Sequence, residues 1–556
     1  MNDSQPIEAA TTSIQVPSGA PDAKTRRYDR QLRLWAASGQ AALESARVLV
    51  FPATATATSI LKNLVLPGLG HFTLMDDEIV TGADAGNNFF LDGFKSIGKF
   101  RAQEAVKGLM EMNDGVDGVA DTRNIQEVLK SGAQWLKSFN VVIAHNVDSV
   151  ILEDLAALLW PDTHLVVVNS AGFLAEFSIH YREHQVIESH AETSASLRID
   201  QAFPALLEYT MSLPLETMDI TDHAHIPYPV ILVRALEEWR REREQAIGPS
   251  SGKGYPATSA EKKAFKERIR AMMRKFDEEN FEEAEAQAFK CWTPTVIPLE
   301  VKELFDLYPP SSSTSSSPTA FAGLVSALSQ FSQNNPASPQ YPSGLLPITP
   351  TLPDMKSSTE EYVKLQKLYR AQSEKEKQVF REYLNKSLVD VDDATINLFL
   401  KNSHALKVLK GREWKESDPG PRELLTDKLT SCPKEAATHL ALAALRKLKA
   451  KDTAMTDKPD RESLKDLLTA EAQTFLPSGT ELPEPEWPIA SGEIARAPSA
   501  DLPTTAAFLG GLVAQEVIKM ITKQYIPISA GNAASSENDQ LGVCVVDLVE
   551  TWTGTL

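Results

Sequence analysis

The sequence predicts an α/β protein: a doubly wound domain, interrupted by a large and mostly helical insertion domain and completed by the C-terminus. Three observations carry this. Short apolar runs alternate with helical patterns through roughly the first 170 residues, as in parallel strands with helices on both faces of a sheet. After about residue 185 the strand pattern stops, and long amphipathic helices follow one another. From about Ala506 an apolar helix and an apolar strand return.

Residues 1–24 are rich in Ser, Thr, Pro and Ala and are expected to form a disordered arm. Order is expected from near Arg26, where RRYDRQLRLW sets apolar side chains among charges at helical spacing. In the first α/β part, 25–185, residues 47–51 (RVLVF) read as a buried parallel strand. PATATAT follows as a turn, and 59–66 (SILKNLVL) as a helix stopped by Pro67-Gly68. Strands are expected at 71–76, 140–144 and 164–169, with helices at 98–112 and 149–159. The insertion, 186–485, reads as helices at 228–246, 258–287, 358–388, 395–409 and 437–448. The second of these opens on a capping box, Thr258-x-x-Glu261, and sets Phe265, Ile269, Met272 and Phe276 on one face. Charged runs such as RREREQ and EKKAFKERIR read as solvated faces with i,i+4 pairs. PPSSSTSSSP at 309–318 is expected to be a flexible loop. The closing part, 486–556, holds a helix at 506–523, whose Gly510-Gly511 lets another backbone approach, and a strand at 541–548.

The 556 residues correspond to three or four domains at about 150 residues each. Lys+Arg 56 against Asp+Glu 75 gives −19, a charge that opposes contact with nucleic acid or an anionic membrane. Cys291, Cys432 and Cys544 are widely spaced, with no Cys-x-x-Cys pair, so neither a disulfide framework nor a zinc site is expected. That fits a reducing compartment. The opening MNDSQPIEAATTSIQVPSG is polar, unlike a signal peptide, and no apolar run is expected to reach the roughly 18 residues of a membrane helix. A soluble, intracellular, multidomain protein is the expectation.

A nucleotide-binding domain of this class needs glycine in the turn after its first strand, so that backbone N–H groups reach phosphate with no Cβ between. Here the turn runs Pro52-Ala53-Thr54-Ala55-Thr56-Ala57-Thr58, and Pro52 removes a donor as well. Asp76 and Asp77 fall near the ribose position of such folds, but without the glycines they read as a solvated strand end. A packed turn without ligand is the reading; a free-standing nucleotide-binding enzyme is the alternative.

At Tyr28-Asp29-Arg30-Gln31 the chain resembles the ubiquitin-like activating enzyme superfamily, whose adenylation domains open on a similar Arg-Tyr-x-Arg-Gln-Leu stretch. LKNLVLPGLGHFTLMDDEIVTGADAGNNFFL, SIGKFRA, VIESHAETSASLRID, HAHIPYPVILVRALEEW, EEYVKLQKLYR and AAFLGGLVAQEVIKMITKQY are similar, in order, to the regulatory subunits of its neddylation branch. The resemblance covers nearly the whole chain outside the arm and the Ser/Pro loop. It implies a ThiF/MoeB-like pseudo-adenylation domain and an insertion like a catalytic-cysteine domain that lacks the cysteine. It also implies a heterodimer with a catalytic subunit that holds ATP and magnesium. That pair would activate a ubiquitin-like modifier and pass it to a conjugating enzyme, with cullins as the main targets, in cytoplasm and nucleus. No cofactor or metal is expected in this chain.

The family's phosphate machinery is replaced position by position. Where its active half has Asn-x-x-Arg-Gln-Phe-Leu, this chain has Asp84-Ala85-Gly86-Asn87-Asn88-Phe89-Phe90, with Asn87 for the phosphate-binding Arg. Where it has Asp-x-Gly-x-x-Lys, this chain has Ser96-Ile97-Gly98-Lys99-Phe100-Arg101, and His145-Asn146 stands for the metal-binding Asp. One element survives. The resemblance implies that Arg30 reaches in trans to the ATP phosphates in the partner, a task that suits a planar, permanently charged fork. Read without the family, Arg30 is a helix arginine paired with Asp29 or Glu44. None of the three cysteines has the Cys-Thr context of the family nucleophile, so all are expected to be buried or incidental.

Overall fold

The computed structural model describes residues 22–160, 162–190, 195–247, 254–310, 319–333, 344–386, 389–414, 418–451, 460–527 and 541–556. Nearly all of the expected arm, and residues 311–318 of the Ser/Pro loop expected at 309–318, lie outside these residues. Two compact units emerge, one from Ile14–Val186 with Val408–Leu556, the other centred on Ile187–Lys407.

In the first unit, runs such as RVLVF (β1, Arg47–Phe51) are apolar on both faces, and strands of that kind are covered on both sides. β1 pairs in parallel with β2 (His71–Met75) and with β4 (Val141–His145), β2 with β3 (Asp117–Asp121), and β4 with β5 (His164–Ala171). The rest of the sheet is antiparallel and extends the parallel strands that the sequence predicts. β6 (Leu174–His180) follows β5 through Gly172-Phe173, with Gly172 at φ 62, and so short a link reverses the chain. β7 (Glu183–Val186) and β8 (Lys407–Lys410) form a separate pair. β9 (Val543–Asp547) and β10 (Trp552–Thr555) complete the order β10-β9-β6-β5-β4-β1-β2-β3.

The helix α1 (Ala23–Ser45) precedes β1, and α2 (Ala55–Val65), α3 (Arg101–Met110) and α4 (Ser149–Leu159) lie between strands. Thr54 caps α2 by accepting from Ala57 N, so the expected PATATAT turn is instead the first turn of a helix. α6 (Pro503–Thr522) lies on α2 so closely that a Cβ on Gly510 would come within 2.3 Å of Ser59 Oγ. By length and composition α6 is long and apolar enough to cross a membrane, contrary to the sequence expectation. Its Leu509, Val513, Val517 and Met520, however, are buried in the protein core.

The segment 408–485, expected within the insertion, packs with the sheet. The helix α5 (Pro433–Lys451) puts Leu440, Ala441 and Ala444 into one core with Leu174 of β6 and Val543 and Val545 of β9. Buried charge fixes it there. Glu176 on β6 accepts from Arg446 (3.2 Å) and pairs with His439 (2.6 Å), and Arg446 also binds Asp418. The helix itself is legible in the sequence, but residues 436–446 are buried on every face, which no one-sided apolar spacing announces.

The second unit is helical, around a core that includes Leu206, Ile231, Phe265, Phe281 and Tyr369. Inside it Arg198 grips Glu376 through both guanidinium nitrogens, at 2.7 and 2.8 Å. The helix expected at 258–287 is two, Ser259–Ala271 and Glu279–Ala286, because the first ends at Met272. Phe276 therefore lies in the loop between them, 96% exposed, instead of on the apolar face. The helix expected at 395–409 is Asp393–Lys401 and gives way to β8.

Candidate functional site

The C-terminal ends of β1, β2 and β4 are where this class of sheet holds a nucleotide. Here the chain's own side chains take the available donors. Ala53 N donates to Asp76 Oδ2 at 2.8 Å, and Thr56 donates to Asp501 through its amide (3.2 Å) and its hydroxyl (2.6 Å). A helix N-terminus attracts anions, and at α2 that anion is the Asp501 carboxylate. Arg101 forks Asp76 through Nε (2.8 Å) and Nη2 (3.2 Å) and reaches Asp84 at 3.3 Å. The ribose-position carboxylate is thus paired with the arginine that replaces the family lysine, and Asp76 is buried, not solvated. Asn88 accepts from Thr58 Oγ1 at 3.0 Å and donates to Ala53 O at 3.4 Å.

His145, at the family's metal-binding position, is fully buried between Thr54 Oγ1 (2.8 Å) and Ser170 Oγ (2.9 Å). Burial pushes its pKa down, which keeps the ring neutral. Asn146 exchanges two hydrogen bonds with the Ser170 backbone. Among the described residues no three His, Cys, Asp or Glu side chains converge in a metal-binding group. ATP and magnesium do not fit this set: the Asp501 carboxylate already fills the anion position at α2, and His145-Asn146 stands where the family's metal-binding Asp would be.

Arg30 behaves differently. It lies exposed on the first half of α1 and makes no hydrogen bond or ion pair among the described residues. Both partners considered from sequence are engaged elsewhere, Asp29 with Arg33 at 3.2 Å and Glu44 with Lys24 at 2.8 Å. Its neighbours are fixed: Asn113 donates to the buried Tyr28 hydroxyl at 2.9 Å, and Arg27 binds Asp114 at 2.6 Å. An exposed cationic tip on an anchored helix can reach outward.

Cys291 and Cys544 are buried, and burial pushes both thiols up to about 12, far from the thiolate that a nucleophile requires. Cys432 is half-buried just after the Arg422–Ser431 helix. Asp501 was missed in the sequence because no local signal links it to Thr56, 445 residues away.

A ThiF family model matches residues 28–155, the span from α1 into α4. The first unit is therefore a ThiF/MoeB-like domain. The curated NEDD8-activating enzyme E1 regulatory subunit of Xenopus laevis is 34% identical over 527 residues, covering 90% of this chain and 95% of that one. Its Gallus gallus counterpart is 33% identical (91% and 96%), and the Arabidopsis thaliana subunit AXR1 is 30% identical (94% and 96%). The chain belongs to the family of NEDD8-activating enzyme E1 regulatory subunits.

Proposed function

We propose that this chain is the non-catalytic half of a heterodimer whose catalytic subunit binds ATP and magnesium. The pair adenylates the C-terminal glycine of a ubiquitin-like modifier, moves it to a cysteine of the catalytic subunit, and hands it to a conjugating enzyme that serves cullins, in cytoplasm and nucleus. One observation carries this reading: the chain's own phosphate site is closed by Asp501, while Arg30 stands unpaired among the described residues on a fixed helix. Pyrophosphate develops negative charge as it leaves, and an arginine arriving from a second subunit stabilises that charge. The same closed site opposes the alternative of a free-standing nucleotide enzyme. Docking of the catalytic subunit draws on apolar side chains of the crossover at residues 79–100, where Phe89 and Phe94 are 87% and 88% exposed.

Arg30→Ala is expected to slow modifier-dependent ATP–pyrophosphate exchange by the assembled enzyme about a hundredfold or more, with the heterodimer intact by sizing. Arg30→Lys should recover only part, since an ammonium makes no bidentate contact. An unchanged rate in Arg30→Ala would reduce the chain to a scaffold.

A further inference from the structure

The helix that carries Arg30 is broken. Trp35 (φ −122, ψ 19) and Ala36 (φ 56, ψ −177) leave helical geometry, so α1 is two half-helices meeting at an angle. Ala36 lies in a region that an L side chain rarely enters and glycine prefers, yet neither position is glycine or proline. Ser38-Gly39 follows closely, and a Cβ on Gly39 would come within 2.9 Å of the Trp35 side chain, so the local sequence permits the break and the contacts around it hold its geometry.

Those contacts are present. A broken helix strands carbonyls that lose their partner N–H, and Gln524 supplies the missing donor: its Nε2 donates to Trp35 O at 3.1 Å. Gln524 is buried just beyond α6, between Lys523 (φ 56) and Tyr525 (φ 61), so its corner is also built on left-handed backbone. On the other side of the break, Trp35 Nε1 donates to Gln40 Oε1 at 3.2 Å. Below it, Pro67 O accepts from one residue of each half, Gln31 at 3.2 Å and Gln40 at 3.0 Å. A single carbonyl gripped by both halves fixes the angle between them, and Gln524 caps the point where they part.

We infer that Gln524 and the strained Ala36 are positioning residues for Arg30: they set the direction in which the first half of α1 presents the guanidinium to the partner's phosphates. This rests on the trans role proposed for Arg30. A charge that acts across an interface is effective only if its helix is held to within about an ångström. The break thus acts on the reaction through Arg30, without itself touching substrate.

The test uses the assembled heterodimer and modifier-dependent ATP–pyrophosphate exchange at varied ATP. Gln524→Glu keeps the shape of the side chain but removes the donor; Ala36→Gly relieves the backbone and loosens the break. Each is expected to lower kcat about tenfold with little change in KM for ATP and no loss of heterodimer. In an Arg30→Ala background the same substitutions should add nothing. A loss of equal size in both backgrounds, or no loss with Arg30 present, overturns the inference. If Arg30→Ala alone leaves exchange unchanged, the trans reading fails first and takes this one with it. If Arg30→Ala slows exchange and Gln524→Glu does not, the trans reading stands and only the positioning role is lost.

Discussion

At the C-terminal ends of β1, β2 and β4, Asp76 answers Arg101, Asp501 answers Thr56, and His145 answers Thr54 and Ser170. On the first half of α1 and along residues 79–100 the opposite holds. Arg30 has no partner among the described residues, and Phe89 and Phe94 lie almost fully in solvent. The inner site has the geometry of a ligand site with its groups satisfied from within; the outer surface leaves its groups to solvent. Within one unit, polar groups turned on each other give stability, and groups left unanswered give assembly.

The comparison can be broken from the outside first. Replacing Phe89 and Phe94 together by Asp should weaken the heterodimer by about 2 kcal/mol or more, read by titration calorimetry, with the thermal midpoint of the isolated chain unchanged. Unaltered affinity would move the interface elsewhere. Opening the inner site is a smaller perturbation. Asp501→Ala leaves two Thr56 donors unanswered and should lower stability by about 1–3 kcal/mol in urea unfolding. Equilibrium dialysis should still find no ATP bound, because Arg101 keeps Asp76 occupied and His145 stays neutral. ATP binding by this variant would mean that Asp501 alone closes the site.

A pH titration sharpens the inner half further. Burial alone would push Glu176 up, but His439 and Arg446 outweigh it and hold it below its ordinary 4.5. That contribution is present above 4.5 and is lost as pH falls through the lowered value. Burial alone would push His439 down, but Glu176 outweighs it and raises it above 6.5, so its contribution is full below 6.5 and fades as pH rises through the raised value. The gap in thermal midpoint between the natural chain and His439→Gln should be widest between pH 4.5 and 6.5 and shrink above it. A gap that is flat with pH would mean that the imidazole is not charged in the fold. The smallest effect is expected at the cysteines: with Cys291, Cys432 and Cys544 all changed to Ser, thioester formation by the heterodimer should persist. If the reducible adduct vanished while assembly survived, one of them would be the nucleophile.

Much of this was legible where the physics is local. RVLVF and HLVVV announce buried strands by composition alone, and the helix Ser149–Leu159 has the bounds the sequence predicts. β3 (DGVAD) was invisible because an edge strand whose two apolar residues, Val119 and Ala120, are adjacent has no alternation to read. The absence of glycine after β1 was legible in PATATAT itself. What fills the anion position there did not show, because Asp501 reaches Thr56 only through the tertiary fold. Phe276 was placed on a helix face because periodicity continues past Met272 even though the helix does not.

The position of β6 has a consequence for how the chain is made. In space β6 is an interior strand, held between β5 and β9; in synthesis, β9 begins only at Val543. At about 5–20 residues per second, a ribosome takes roughly 20–70 s to travel from the end of β6 to β9. Throughout that interval β6 presents an unpaired edge beside Leu174 and Phe177, an arrangement prone to wrong pairing. The helical unit Ile187–Lys407 is complete well before then. The guest domain therefore has the means to fold while its host is still waiting for its last strands.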